Sequence, residues 1–305
     1  VAKARGRPAE EFVEQADLDA NLAAYLSWLA LQPLARLTRA TYQRRVAQFL
    51  ARLATRPPQG DPLGDSHARD YAVRDFKGYL KSERKAAPAS VNLSLAAIDH
   101  FYRFVGLGPA LVRREDLPRV APRALAVDEQ RKLLRALERH GSTRDGAIVH
   151  LFLYAGLRIG ELGALELGDV AVSARKGKVI VRSGKGDAYR EVPLNAATRT
   201  AVSAWLDERR TLPGSVSALF LTKQGKALSE RAIDLVVRNL GTGAGVQLSA
   251  HVLRHSFCTN LVRDGADLVL VAELAGHRRL ETTRRYSLPS AADRQAAVEA
   301  LTIEY

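Results

Sequence analysis

Arg158, Lys185, His251, Arg254, His277 and Tyr286 are the side chains of this 305-residue chain whose types and settings could do chemistry. Arg158 lies in YAGLRIGELGALEL, where Gly156 stops one helix, Ile159, Leu162 and Leu165 resume another, and Glu161 stands three residues on, within reach of the arginine. Lys185 is at the tip of a hairpin in SGKGDAYR, between glycines that let the turn approach another backbone. The stretch is not a phosphate-binding loop, because the upstream glycine, the following Ser or Thr and the strand-to-helix context are missing.

His251 and Arg254, in AHVLRHSF, are three apart on one helix and share a face. His251 and His255 have the spacing of zinc ligands, but Val252 stands where a zinc protease needs glutamate, and Cys258 is the only thiol. His255 reads better as a hydrogen-bonded core histidine. His277 and Tyr286 belong to GHRRLETTRRYS (276–287). On an unbroken helix, nine residues at about 100° each would put them on opposite faces. Gly276 permits a stop, and Thr282 or Thr283 could cap a new short helix, so the chain can bend the two side chains together.

Each of these residues alone has an ordinary reading as a surface or packing group. Together they lack the carboxylate cluster of metal-dependent phosphoryl transfer, and neither a metal nor a cofactor is expected. They suit a metal-free attack on a phosphodiester. Two permanently charged arginines can neutralise the nonbridging oxygens of the transition state. A tyrosine of pKa near 10 must lose a proton and the departing oxygen must gain one, which histidine and lysine can provide.

The elements that must position these groups are mostly helical. Apolar spacing predicts four helices in the first hundred residues, near 17–31, from Thr38 as N-cap, over 66–84, and over 88–105 with Ser90 as cap. Their inward faces carry Leu22, Tyr25, Leu26 and Leu29, then Tyr42, Val46, Phe49 and Leu50, and finally Val91, Leu95, Ile98, Phe101 and Tyr102. Three prolines and weak periodicity over 108–123 indicate a linker. Helices follow near 127–139 and 143–156. The stretch 168–194 reads as strands around SGKGD, with Val179, Val181, Tyr189 and Val192 alternating against polar neighbours. Further helices are expected over 196–210, 229–240, 250–264, 267–275, near 282–287 and near 290–302.

The bulk numbers agree with a nucleic-acid partner. Net charge is +13, with 19 Lys+Arg against 13 Asp+Glu in residues 1–120 and 27 against 20 in the rest. No segment has the length and apolarity of a membrane span or signal peptide, and a single cysteine fits a reducing cytoplasm.

GLRIGEL, SGKGDAYREVPL, HVLRHSF and GHRRLETTRRY, in that order, resemble the signature boxes of the tyrosine recombinase, or phage integrase, family, and the resemblance covers residues 125–290. SVNLSLAAIDHFYRFV also resembles the core-binding domain of Xer-like members, more loosely. The resemblance implies a mainly α fold with a small antiparallel β-sheet. An N-terminal four-helix, SAM-like core-binding bundle (1–107) and a linker (108–123) would precede an α+β catalytic domain (124–305), the whole forming a C-shaped clamp on DNA.

It further implies a site-specific recombinase that needs neither metal nor ATP. By motif, Arg158 and Arg254 would bind the scissile phosphate with His277. Lys185 would be the general acid, His251 the general base or shuttle, and Glu161 a support for Arg158. Tyr286 would be the nucleophile forming a 3′-phosphotyrosine. The partners implied are a double-stranded recombination site and three further copies of the chain, in a tetramer on paired sites that exchanges the C-terminal helix at 290–301. The setting implied is a bacterial cytoplasm, on the nucleoid. Two positions depart from the family pattern without touching a catalytic role: Ala250 precedes His251 where proline is common, and Cys258 replaces an alanine. A type IB topoisomerase, a telomere resolvase and a non-catalytic DNA-binding regulator are the alternatives. Tyr305 lies outside the motif.

Overall fold

The structure, a computed structural model, describes residues 15–117, 122–182, 189–213, 216–277, 279–288, 295 and 298–299. The chain divides into two compact units, Val1–Pro118 and Arg119–Tyr305. No described helix is long and apolar enough to cross a membrane.

Among the described residues, four helices build the first unit: α1 (Gln15–Ala30), α2 (Arg36–Thr55), α3 (Ser66–Ser82) and α4 (Pro88–Val105). Their 3.6-residue stripes converge on one core, in which Tyr25, Phe49, Phe76, Phe101 and Tyr102 are fully buried and meet largely edge to face. Asp65 caps α3 by accepting from the backbone of His67 and Ala68. Two expected caps fall inside their helices instead. Ala35 is already extended and its carbonyl accepts from Arg39, so α2 starts before Thr38. Pro88, with φ preset for a first helical turn, starts α4 before Ser90.

The stretch expected to be a linker is partly fastened to this bundle. Asn92 donates to the Glu115 carbonyl and accepts from its N–H, both at 2.8 Å, and Arg114 donates to the Asn92 carbonyl at 3.0 Å. Side-chain bonds replace the missing helical ladder, so a segment without periodicity is still ordered. The first unit accordingly continues past residue 107.

In the second unit come α5 (Val127–His140), α6 (Thr143–Ala155), α7 (Ile159–Gly163), β1 (Val170–Val172), β2 (Gly177–Arg182), β3 (Tyr189–Pro193), α8 (Ala196–Arg209), α9 (Glu230–Ala244), α10 (Ala250–Arg263), α11 (Leu268–Ala275) and α12 (Leu280–Arg284). The strands form an antiparallel sheet in the order β1-β2-β3, with Val179 opposite Val192 and Arg182 opposite Tyr189. Helix α6 is the centre of the core, packed on α8 and α10, and its Phe152 is fully buried along with Trp205 of α8. Tyr189 does not share the inward face with Val192. They are three positions apart, an odd offset that sends them to opposite sides of the sheet, and Tyr189 is exposed. The inward neighbour of Val192 is Arg190.

Candidate active site

Gly156 ends α6 in the left-handed conformation, φ 62°, and a Cβ there would lie 2.2 Å from the Phe257 ring. Only glycine can turn the chain at that spot, and the turn delivers Arg158 as N-cap of α7. Glu161 sits at the third position of the helix. Its carboxylate accepts from the Arg158 backbone N–H at 2.7 Å and from its guanidinium at 2.5 Å. The expected Arg158–Glu161 pair is therefore present, and it also caps the helix start.

Arg254 approaches from α10, whose N-cap Ser249 accepts from Val252. It is almost wholly buried, donates to the carbonyls of Gly156 and of Ala275 (2.5 Å), and stops 3.9 Å short of Glu161. A third guanidinium, from Arg190 on β3, meets both oxygens of Glu161, at 2.9 and 2.7 Å. Sequence reasoning missed Arg190. The signal was available in the strand period, since a charged residue on the buried face of a strand persists only when paired.

The three arginines end on three consecutive carbonyls at the C-terminus of α11. Arg190 Nε donates to Leu274 at 2.9 Å, Arg254 to Ala275, and Arg158 to Gly276 at 2.6 Å. Those carbonyls have no helical partners and carry the negative end of the helix dipole, which favours cations there. Gly276 leaves the helix at φ 65°, and a Cβ on it would lie 2.7 Å from Arg190 Nη1. The next residue is His277.

Tyr286 lies in the turn after α12 and is buried. Its ring stacks on His277, 5.9 Å between centroids and 6° from parallel. The chain bends between the two residues as the glycine allowed, but not through a threonine cap. Arg279 is the N-cap of α12, and Thr283 lies inside it, fully buried, with its hydroxyl 2.8 Å from His277 Nδ1. Fixing the His277 ring takes precedence over capping. The short helix also begins earlier than expected, at Leu280, and Tyr286 follows it.

The hydroxyl of Tyr286 is 2.7 Å from Nδ1 of His255 and also touches the Cys258 thiol. His251 is exposed on the first turn of α10, with its ring 5.8 Å from that of His255. Thus His255, expected to be a hydrogen-bonded histidine, is bonded to the candidate nucleophile itself. Lys185 lies outside the described residues; Arg182 and Tyr189, the paired ends of β2 and β3, flank its segment. The expected C-terminal helix lies almost wholly outside them as well, as does Tyr305.

The electrostatics follow from burial among cations. Burial alone would raise the Glu161 carboxyl, but Arg190 and Arg158 outweigh it and hold the pKa at about 2. Burial, then the charge of Arg158, lowers Arg254 to about 10. His277 falls to about 4 through burial and then Arg254 and Arg158. His255 also falls to about 4, through burial and then His251 and Arg254. Both imidazoles are neutral at pH 7. Burial, then Cys258, pushes the Tyr286 hydroxyl above its ordinary value. One carboxylate among three guanidiniums leaves an excess of positive charge, and a phosphate is the kind of group that would balance it.

Residues 123–292 match the model of the phage integrase family. The tyrosine recombinase XerC of Shewanella oneidensis is 37% identical over 220 residues, 68% of this chain and 70% of that protein. The tyrosine recombinase XerC of Myxococcus xanthus is 36% identical over 245 residues, covering 74% and 78% of the two. Among solved structures, the XerH site-specific recombinase bound to palindromic difH substrate, in a post-cleavage complex, superposes with a TM-score of 0.71 over 94% of this chain and 84% of that one, at 21% identity, a likeness of fold.

Proposed function

This chain belongs to the phage integrase family as a tyrosine-type site-specific DNA recombinase, and we propose that it breaks and rejoins the strands of a recombination site through Tyr286. The observation that carries this reading is Tyr286, whose hydroxyl is hydrogen-bonded to a neutral His255 and whose ring is stacked on His277 beside Arg254. The tyrosine oxygen attacks the scissile phosphorus, the P–O5′ bond breaks, and a 3′-phosphotyrosyl bond conserves the energy for rejoining. Arg158, Arg254 and His277 take the phosphate oxygens, and Glu161 holds Arg158 in place. Lys185 supplies the proton to the departing O5′.

The proton of Tyr286 passes first to Nδ1 of His255, 2.7 Å from the hydroxyl, in the tautomer that carries the imidazole proton on Nε2. His251, one helical turn away and open to solvent, then carries it out, so its role is that of a shuttle rather than of the contacting base. The helical first unit, through Pro118, supplies a second DNA-binding surface. Recombination joins two sites, each cut on both strands, so the working assembly is a tetramer, with residues 290–301 linking neighbours. The relatives reported above are recombinases, and neither a topoisomerase, a telomere resolvase nor a bare DNA-binding regulator is favoured.

The test uses a duplex pool of random sequence, enriched by binding to the wild-type chain and then nicked so that the cleaved fragment diffuses away. Wild type yields a complex that survives denaturation, and Tyr286→Phe binds the same DNA but yields none. An adduct with the Phe variant would remove Tyr286 from the role.

A further inference from the structure

We propose that Arg190 is a positioning residue for strand cleavage: it occupies both oxygens of Glu161 and the end of α11, and so keeps that carboxylate off Arg254 and fixes the turn that carries His277. This deepens the functional reading above and rests on its assignment of Arg158, Arg254 and His277 to the scissile phosphate.

The placement of Arg190 is costly unless it has a task. It holds an inward position on β3 beside Val192, where an apolar residue would pack without desolvating a charge. Its guanidinium is spent on the protein, with Nη1 and Nη2 on the two oxygens of Glu161 and Nε on the Leu274 carbonyl. With all three of its nitrogens committed, Arg190 acts on DNA only through what it holds, whereas the Arg158 side chain, 41% exposed, can meet DNA directly.

What it holds is the balance between Glu161 and the two arginines proposed to bind phosphate. Arg254 lies 3.9 Å from Glu161, beyond hydrogen-bond distance, while Arg190 fills that carboxylate from the other side. Without Arg190, the carboxylate would close on Arg254 and draw its guanidinium away from the Gly156 and Ala275 carbonyls that now set its direction. Arg190 also lies against Gly276, the residue that turns the chain into His277. One side chain thereby ties β3, α7 and the α11 turn together. Lysine could supply the charge but not the planar fork that reaches three acceptors.

The charged groups around Glu161 are Arg158 at the head of its own helix, Arg190 from β3 and Arg254 from α10, with His277 beside the arginines; Glu230 of α9 reaches the neighbouring Gly160. Arg190 is the strongest of the influences that keep Glu161 ionised against burial. Its loss raises the carboxyl pKa, so Glu161 becomes protonated at a higher pH than in the wild type and loosens Arg158 on the acid side.

The experiment uses the full chain and the enriched nicked duplex. It measures DNA affinity and the first-turnover rate of adduct formation from pH 5 to 9, for wild type, Arg190→Gln, Arg190→Lys, Glu161→Gln and the double Glu161→Gln/Arg190→Gln. Arg190→Gln is expected to bind within about threefold of wild type and to cleave about 10²-fold more slowly at neutral pH, with an acid limb absent from the wild type. Arg190→Lys restores the flat pH profile but only part of the rate. The double variant removes the Glu161–Arg190 pair as a whole, so it keeps the test readable if the single one folds poorly, and it matches Glu161→Gln within about twofold because the two residues act as one unit. Wild-type rates in Arg190→Gln, a loss equal at every pH, or full additivity in the double variant would overturn the proposal while leaving the function intact. If wild type itself forms no adduct, the functional reading falls and takes this one with it.

Discussion

At the scale of single residues, the contact that matters most for chemistry is the one between Tyr286 and His255. An imidazole can accept the tyrosine proton only while neutral. With its pKa lowered to about 4, His255 stays neutral down to that pH and loses its acceptor nitrogen only below it. Cleavage is therefore expected to lose no rate to His255 protonation above about pH 5. Replacing His255 by Phe keeps the ring and removes the acceptor, which should slow first-turnover cleavage about 10²-fold. His251→Ala should cost less, because that exposed ring can be replaced by water. Losses in the opposite order, read by the same adduct assay, would make His251 the contacting base.

At the scale of elements, the site is made by helix ends more than by helix faces. Gly156 ends α6 and Gly276 ends α11, both left-handed, and Arg158 and His277 follow within two residues of these stops. A Cβ at Gly156 would strike the Phe257 ring, so Gly156→Ala combines backbone strain with overpacking and should cost about 2–4 kcal/mol. Thermal unfolding should show a fall of roughly 5–15 °C. Gly243 in α9 is the control: a Cβ there meets nothing within 4 Å, and Gly243→Ala should be neutral or stabilise by roughly 0.5–1 kcal/mol. Equal effects at the two sites would mean that the Phe257 contact has no such weight.

At the scale of the whole molecule, both halves of the sequence carry excess positive charge, and the net charge is +13. Binding to duplex DNA should therefore release many counterions. With roughly six to ten phosphates neutralised, affinity should drop about 10³–10⁵-fold between 50 and 200 mM salt. Titration of a labelled duplex across that range measures the slope. A flat slope would leave the basic charge without a role in binding.

The types of the reactive groups, the helix stops that present them and most of the helices could be read along the chain, because a helical stripe or a glycine stop depends on a residue and its near neighbours. Arg158 with Glu161, three positions apart, was legible for that reason. The inward place of Arg190 was written in the same local code, in a two-residue period that Tyr189 obscured. Which groups meet was decided by the tertiary structure. Arg158 and the Gly276 carbonyl are 118 positions apart, and Arg190 and Glu161 are 29 apart. His251 and His255 are equivalent in spacing, yet only His255 touches Tyr286. Such meetings depend on how α6, α10, α11 and β3 pack around one core, and no periodicity within a single element records the position of another.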